Sequence, residues 1–153
     1  MTNQLPEITL KPIGIVKNNI KQRPGHGYNW QEVVSEIVVD NSLTEALDTL
    51  EEFSHIIVIY WMHEVYVPTQ LPGKIYPRGN KELPLVGRFA TRSPTRPNPI
   101  GKTTVRLLGR QGNILKVEGL DAIDGTPVVD IKPYIPGYDS VPDARVPTWA
   151  ANQ

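Results

Sequence analysis

Hydrophobic positions along this 153-residue chain recur mostly with a period of two, and proline, glycine and asparagine fill the intervals between the alternating stretches. Such alternation marks half-buried β-strands. Residues 8–17, ITLKPIGIVK, are rich in β-branched side chains and read as a first strand, with Pro12, Ile13 and Gly14 at a bend or an edge. A loop over 18–30 and a second strand over 33–40 follow. Ser42, with Glu45 three residues on, then forms a capping box, and Leu43, Ala46, Leu47 and Leu50 mark one apolar face of a helix running to about Glu52. Residues 53–63, FSHIIVIYWMH, are the most hydrophobic run and read as a central strand buried on both faces. Period two sets His55, Ile57, Ile59, Trp61 and His63 on one side, and Ile56, Val58, Tyr60 and Met62 on the other.

Residues 65–85 hold four prolines and two glycines and form a long irregular stretch, a length that in compact domains is usually functional or mobile. A strand over 86–91 follows it. Residues 101–109 alternate, with Thr103, Val105 and Leu107 opposite Lys102, Thr104 and Arg106. A tight turn at 110–113 leads into a strand over 114–120, and a second turn at 121–126 leads into a last strand over 128–135. There Val129 and Ile131 face one way, and Asp130, Lys132 and Tyr134 the other. Many strands, two tight turns, one clear helix and no βα alternation predict a mainly β fold. The expected form is a single antiparallel β-barrel with one or two short helices, because closure removes exposed edges. One domain is expected over 1–153, with the barrel at about 8–135 and a surface-wrapping tail from 136.

Composition narrows the chemistry. There is no cysteine, which excludes a disulfide framework, a thiolate metal site and a thiol nucleophile, and fits a reducing cytoplasm. The longest strongly apolar run is too short to cross a bilayer, and the first residues do not resemble a signal peptide. His55 and His63 stand about 26 Å apart along an extended strand at roughly 3.3 Å per residue, so no metal site is expected from them. Gly25-His26-Gly27 opens a G-x-G pattern, but Trp30 stands where the third glycine belongs, so no dinucleotide fingerprint is present. Formal net charge is zero, yet between residues 74 and 116 the only acid is Glu82, and ten of the 16 basic residues fall there. A local basic segment suits an anionic ligand or an RNA backbone.

At the centre of that segment lies FATRSPTRPNPIG, residues 89–101, preceded by Arg88. Pro94, Pro97 and Pro99 fix φ and remove three backbone donors, leaving a stiff loop that presents Arg88, Arg92 and Arg96. Guanidinium groups suit bidentate recognition of carboxylate or phosphate, and a loop with little entropy left to lose holds a ligand well.

This loop, together with LEEFSH (50–55) leading to His63 and LDAIDGTPVVDIKPYIP (120–136), closely resembles the TsaA-like, or TrmO, family of tRNA N6-threonylcarbamoyladenosine methyltransferases. The resemblance runs from Ile13 to about Trp149. It implies a non-Rossmann β-barrel that binds S-adenosyl-L-methionine, acts on tRNA and works as a cytoplasmic homodimer, with neither metal nor membrane. The implied cofactor contacts fall on Pro24, Gly25, His63, Glu64, Arg92, Lys102, Asp124, Gly125, Thr126 and Pro127. Arg92 or Arg96 suits the carboxylate, and Glu64 or Asp124 the positive groups. Arg88, Arg96 and Asn98 are assigned to the RNA substrate. The longer bacterial members carry their proposed base in a C-terminal extension not present in this sequence, so the candidates for a catalytic base here are Asp130, then His63. Three functions fit these residues: methylation of threonylcarbamoyladenosine beside the tRNA anticodon, action on a smaller substrate with the same cofactor, or non-catalytic cofactor or RNA binding.

Overall fold

The computed structural model describes residues 4–151; the ends of the expected domain, 1–3 and 152–153, lie outside the described residues. Eight strands are present: β1 (Gly14–Lys17), β2 (Val34–Val39), β3 (His55–Trp61), β4 (Lys74–Ile75), β5 (Val86–Gly87), β6 (Ile100–Gln111), β7 (Ile114–Glu118) and β8 (Pro127–Pro133). Six of them close into a barrel in the order β1-β2-β7-β6-β3-β8, with every pairing antiparallel. β4 and β5 pair separately as a small flap; β4 lies inside the stretch that reads as irregular from sequence, and β5 is all that forms of the strand expected over 86–91, because the chain turns into a 3-10 segment at Arg88–Ala90. The mainly β barrel is therefore as expected.

The barrel is filled by the inward member of each alternating pair. Val16, Ile37, Ile56, Val58, Val105, Leu115, Val117, Leu120 and Val128 are wholly or almost wholly enclosed. Burying each such aliphatic side chain stabilises the fold by about 1.5–3 kcal/mol. Along β3 the even positions Ile56, Val58 and Tyr60 point inward, while His55, Ile59 and Trp61 are half-buried on the outer face. The central strand is thus enclosed on one face and partly covered on the other, rather than buried on both. Ser54 Oγ and His55 Nδ1 form a 2.7 Å hydrogen bond at the start of this strand.

Four local expectations are corrected. The first strand begins at Gly14, not at residue 8. The helix over 42–52 is two 3-10 segments, Asn41–Leu47 and Leu50–Glu52, separated by Thr49 at φ 69°. Its cap is Asp40, whose carboxylate accepts from the Ser42 backbone N–H at 2.9 Å, so the acid one strand-end earlier displaces Ser42 from that role. The chain from β7 to β8 is not a hairpin: β7 pairs with β2 and β6, β8 with β1 and β3, so residues 119–126 cross the barrel mouth. In β8 the pairing with β3 skips Val129 between Ile59 and Tyr60, a bulge that breaks the expected alternation. Val128 and Ile131 consequently face the core, and Val129 lies outside beside Trp61. Beyond β8, a short helix α1 (Pro136–Asp139) and a 3-10 turn at Thr148–Ala150 lie along an exposed tail.

Candidate functional site

A cleft of about 470 Å³ opens at one end of the barrel. Four segments meet there: Arg23, Pro24 and Trp30 from the β1–β2 loop; Tyr60, Met62, His63 and Glu64 at the end of β3; Arg92, Ser93 and Arg96 from the arginine–proline loop; and Asp121, Ala122, Ile123 and Thr126 from the crossing segment. Gly101 and Lys102 at the start of β6 complete the wall. Its volume lies in the range of small-molecule sites.

The three loop arginines prove unequal. Arg88 is only 8% exposed. Its Nε donates to the Pro72 carbonyl at 2.9 Å and its Nη1 to the Thr95 carbonyl at 2.8 Å, tying the loop to the β4–β5 flap. Arg96 Nη1 donates to the carbonyls of Thr91 (2.8 Å) and Ser93 (3.1 Å), bracing the turn from within while its side chain still reaches the cleft. Of these three, only Arg92 lines the cleft with no hydrogen bond or ion pair to the protein among the described residues. Two guanidinium groups replace the internal bonds that the prolines cannot make, and the third is left for a ligand.

The floor is built around a carboxylate. Tyr60 Oη donates to Asp121 Oδ1 at 2.9 Å, and Thr103 Oγ1 donates to the same oxygen. Burial, and then the adjacent Asp121 charge, push the Tyr60 hydroxyl well above the ordinary tyrosine range, so it stays a donor. Gly101 makes room for this arrangement: a Cβ there would fall 2.5 Å from the Tyr60 ring. Among the described residues Asp121 is therefore held through Oδ1, which leaves Oδ2 available to a cation entering the cleft.

The cleft gathers Pro24, His63, Glu64, Arg92, Arg96, Lys102 and Thr126 from among the expected residues. His63 Nε2 stands 3.6 Å from Glu64 Oε1. Gly25, Asp124, Gly125 and Pro127 do not line it. Asp124 instead accepts from the Asn18 backbone N–H (3.0 Å) and from Lys21 Nζ (2.9 Å), with Lys21 and then Asn18 holding its carboxyl below the usual carboxylate range. Pro127 and Asn98 border a separate, outer hollow with Trp61. Arg88 is enclosed by the loop it braces and is not positioned to meet RNA. Asp130 lies outside the cleft, beside Ile59 on the outer face, with Lys132 Nζ 2.9 Å from its carboxylate. Sequence reading missed Asp121, Tyr60, Thr103 and Trp30, whereas Arg23, in the Arg23-Pro24-Gly25 turn that reads as able to line a ligand, does line the cleft. Asp121 sits in the LDAIDGTP motif three residues before the aspartate that was singled out.

Comparison with known proteins shows the family. A probable S-adenosyl-L-methionine-binding protein of Methanothermobacter thermautotrophicus is 43% identical over 138 residues, covering 88% of this chain and 96% of that protein. The Escherichia coli K12 tRNA (adenine(37)-N6)-methyltransferase is 40% identical over 116 residues, 71% of this chain and 47% of that enzyme. The crystal structure of TrmO from Pseudomonas aeruginosa superimposes with a TM-score of 0.71 at 31% identity, over 92% of this chain and 62% of that one. The chain thus spans nearly all of the first relative and less than two thirds of the other two. With residues 16–140 matching the model of the tRNA-methyltransferase O N-terminal domain, the chain belongs to that family.

Proposed function

We propose that this protein binds S-adenosyl-L-methionine in the cleft and transfers its methyl group to N6 of threonylcarbamoyladenosine beside the anticodon of tRNA. The observation that carries the reading is the charge arrangement: Arg92, unpaired among the described residues, shares one cleft with the carboxylates of Glu64 and Asp121. The donor set fits the cofactor. Arg92 suits its carboxylate, Asp121 and Glu64 suit its ammonium and sulfonium, and Trp30, Met62 and Ile123 offer apolar surface for its adenine. S-adenosyl-L-methionine supplies an already activated methyl group, so the chain's own work is positioning, excluding water and helping a delocalised nitrogen lose its proton. His63 is the base within reach of the cleft, and Glu64 beside it would steady the imidazolium formed on accepting that proton.

The protein acts as one domain and as a cytoplasmic homodimer. An outer apolar hollow of about 320 Å³ lined by Leu10, Trp61, Ile100 and Val129 supports self-association. A monomer mass by light scattering at working concentration would remove that part of the reading. For the activity, titration calorimetry with S-adenosyl-L-methionine comes first, followed by methyl transfer to tRNA bearing threonylcarbamoyladenosine, with bulk tRNA and small metabolites in parallel. Saturable heat and methylation of the modified tRNA are expected. No heat from folded protein overturns cofactor binding, and methyl incorporation only into small molecules overturns tRNA as the acceptor.

A further inference from the structure

Phe89 is out of place by ordinary folding criteria. It is 77% exposed, although it sits in the 3-10 turn Arg88–Ala90, with Arg88 before it and Thr91 two positions on both buried. The backbone that presents it is fixed on both sides. The Arg88 N–H donates to the Gly73 carbonyl at 2.8 Å, and the Thr91 N–H donates to the Arg88 carbonyl at 3.1 Å. Arg88 itself anchors the turn through the two side-chain bonds already described. A flexible turn could fold such a ring onto the barrel; this one holds it out.

The ring has one neighbour of note. The Arg96 guanidinium lies 5.6 Å from its centroid, within cation–π range, and the same guanidinium reaches the cleft. Phe89 and Arg96 therefore form a continuous surface from the cleft wall to its rim, an aromatic face followed by a planar cation. The chain around them carries Lys74, Arg78, Lys81, Arg92 and Lys102, with Glu82 the only acid between 74 and 116. An exposed aromatic face, a guanidinium plane and an acid-poor basic surround match what unpaired nucleotides require: stacking for the base and positive charge for the backbone.

We infer that Phe89 and Arg96 form a base-stacking platform at the rim of the methyl-donor cleft, taking an unpaired base of the acceptor RNA. The inference rests on the proposed tRNA reaction and adds to it the element that receives the nucleic acid. Trp61, by contrast, lies in the outer hollow on the barrel face and does not line the cleft.

The test uses the full chain, S-adenosyl-L-methionine and two fluorescent RNA probes: a hairpin with an unpaired seven-nucleotide loop, and a blunt duplex of equal length. Wild-type protein is expected to bind the hairpin more tightly than the duplex. Phe89→Ala and Phe89→Leu are expected to weaken hairpin binding at least fivefold, Phe89→Trp to retain it, and cofactor affinity by calorimetry to stay within twofold in all three. Where tRNA methylation is measured, the loss is expected in KM for tRNA rather than in kcat. Hairpin binding unchanged in both Phe89→Ala and Phe89→Leu overturns the platform while leaving the proposed reaction standing. Wild-type protein that binds cofactor but neither RNA overturns the platform together with the tRNA acceptor. A variant whose only change is a lower oligomeric mass assigns Phe89 to self-association and overturns the platform.

Discussion

At the scale of single residues, the arginine–proline loop shows how one residue type divides into different tasks. Arg88, Arg92 and Arg96 are equivalent in sequence, four residues apart and each near a proline. Folding separates them by what remains unbonded nearby: carbonyls of Pro72 and Thr95 for Arg88, carbonyls of Thr91 and Ser93 for Arg96, and open cleft for Arg92. Two substitutions are therefore expected to fail in different ways. Arg92→Ala should weaken S-adenosyl-L-methionine binding at least tenfold, about 1.4 kcal/mol, with the urea midpoint unchanged. Arg88→Ala should lower unfolding stability by about 2–4 kcal/mol, because it leaves two part-buried carbonyls without their charged donor, and Arg88→Lys should not restore it because a lysine cannot reach both. Calorimetry and urea denaturation of the pair distinguish the roles; equal loss of stability in both would contradict the assignment. Gly101 offers a third check. A methyl group there meets the Tyr60 ring at 2.5 Å, so Gly101→Ala should cost about 1–3 kcal/mol in denaturation and also weaken the cofactor through displaced Asp121.

The elements were legible from sequence where the barrel needs only alternation. The inward and outward faces of β2, β7 and β6 as far as Leu107 follow directly from period two, since each strand is half-enclosed; beyond Leu107 a register shift against β7 breaks the alternation of β6. What alternation cannot convey is which strands become neighbours. The 119–126 segment reads as a hairpin turn because turn residues look alike whether the chain doubles back or crosses a barrel mouth. The β8 bulge is equally silent, since nothing in Pro127 to Ile131 announces that Val129 will be skipped. The site follows the same rule. The loop and His63 were legible as chemistry, whereas Asp121 and Trp30 join the cleft only because the crossing segment and the β1–β2 loop are brought together. Asp124 is one of the ties that bring them: it binds Asn18 and Lys21 at the root of the loop carrying Arg23, Pro24 and Trp30. Its folded carboxyl is held below the ordinary value, so its contribution is present above about pH 4, where the unfolded group is already ionised, and is lost as pH falls through the depressed folded value. Asp124→Asn is accordingly expected to melt at a lower temperature than wild type at neutral pH, with the two curves converging in strong acid. A gap that widened on acidification would reverse the assignment.

At the scale of the whole molecule, the barrel is closed by its first and last strands, Gly14 of β1 pairing with Val128 of β8, and the cleft lies beside that seam. This arrangement makes the fold a matter of timing. Nearly the entire chain must be available before the pairing that completes the barrel can form, so refolding should be slow for the chain's size, in the range of milliseconds to seconds. A nascent chain still lacking β8 cannot close its barrel and exposes the edge of β1 until synthesis reaches it. On the proposed site, contacts to the cofactor from the crossing segment and the β1–β2 loop can form only once the seam has shut. S-adenosyl-L-methionine should therefore leave the refolding rate nearly unaltered and lower the unfolding rate in proportion to its occupancy, a pattern that stopped-flow measurements with and without the cofactor can read directly. The protein's persistence in the cell then becomes a function of the methyl donor's concentration: a chain that keeps its cofactor is also the one whose seam stays shut against proteolysis.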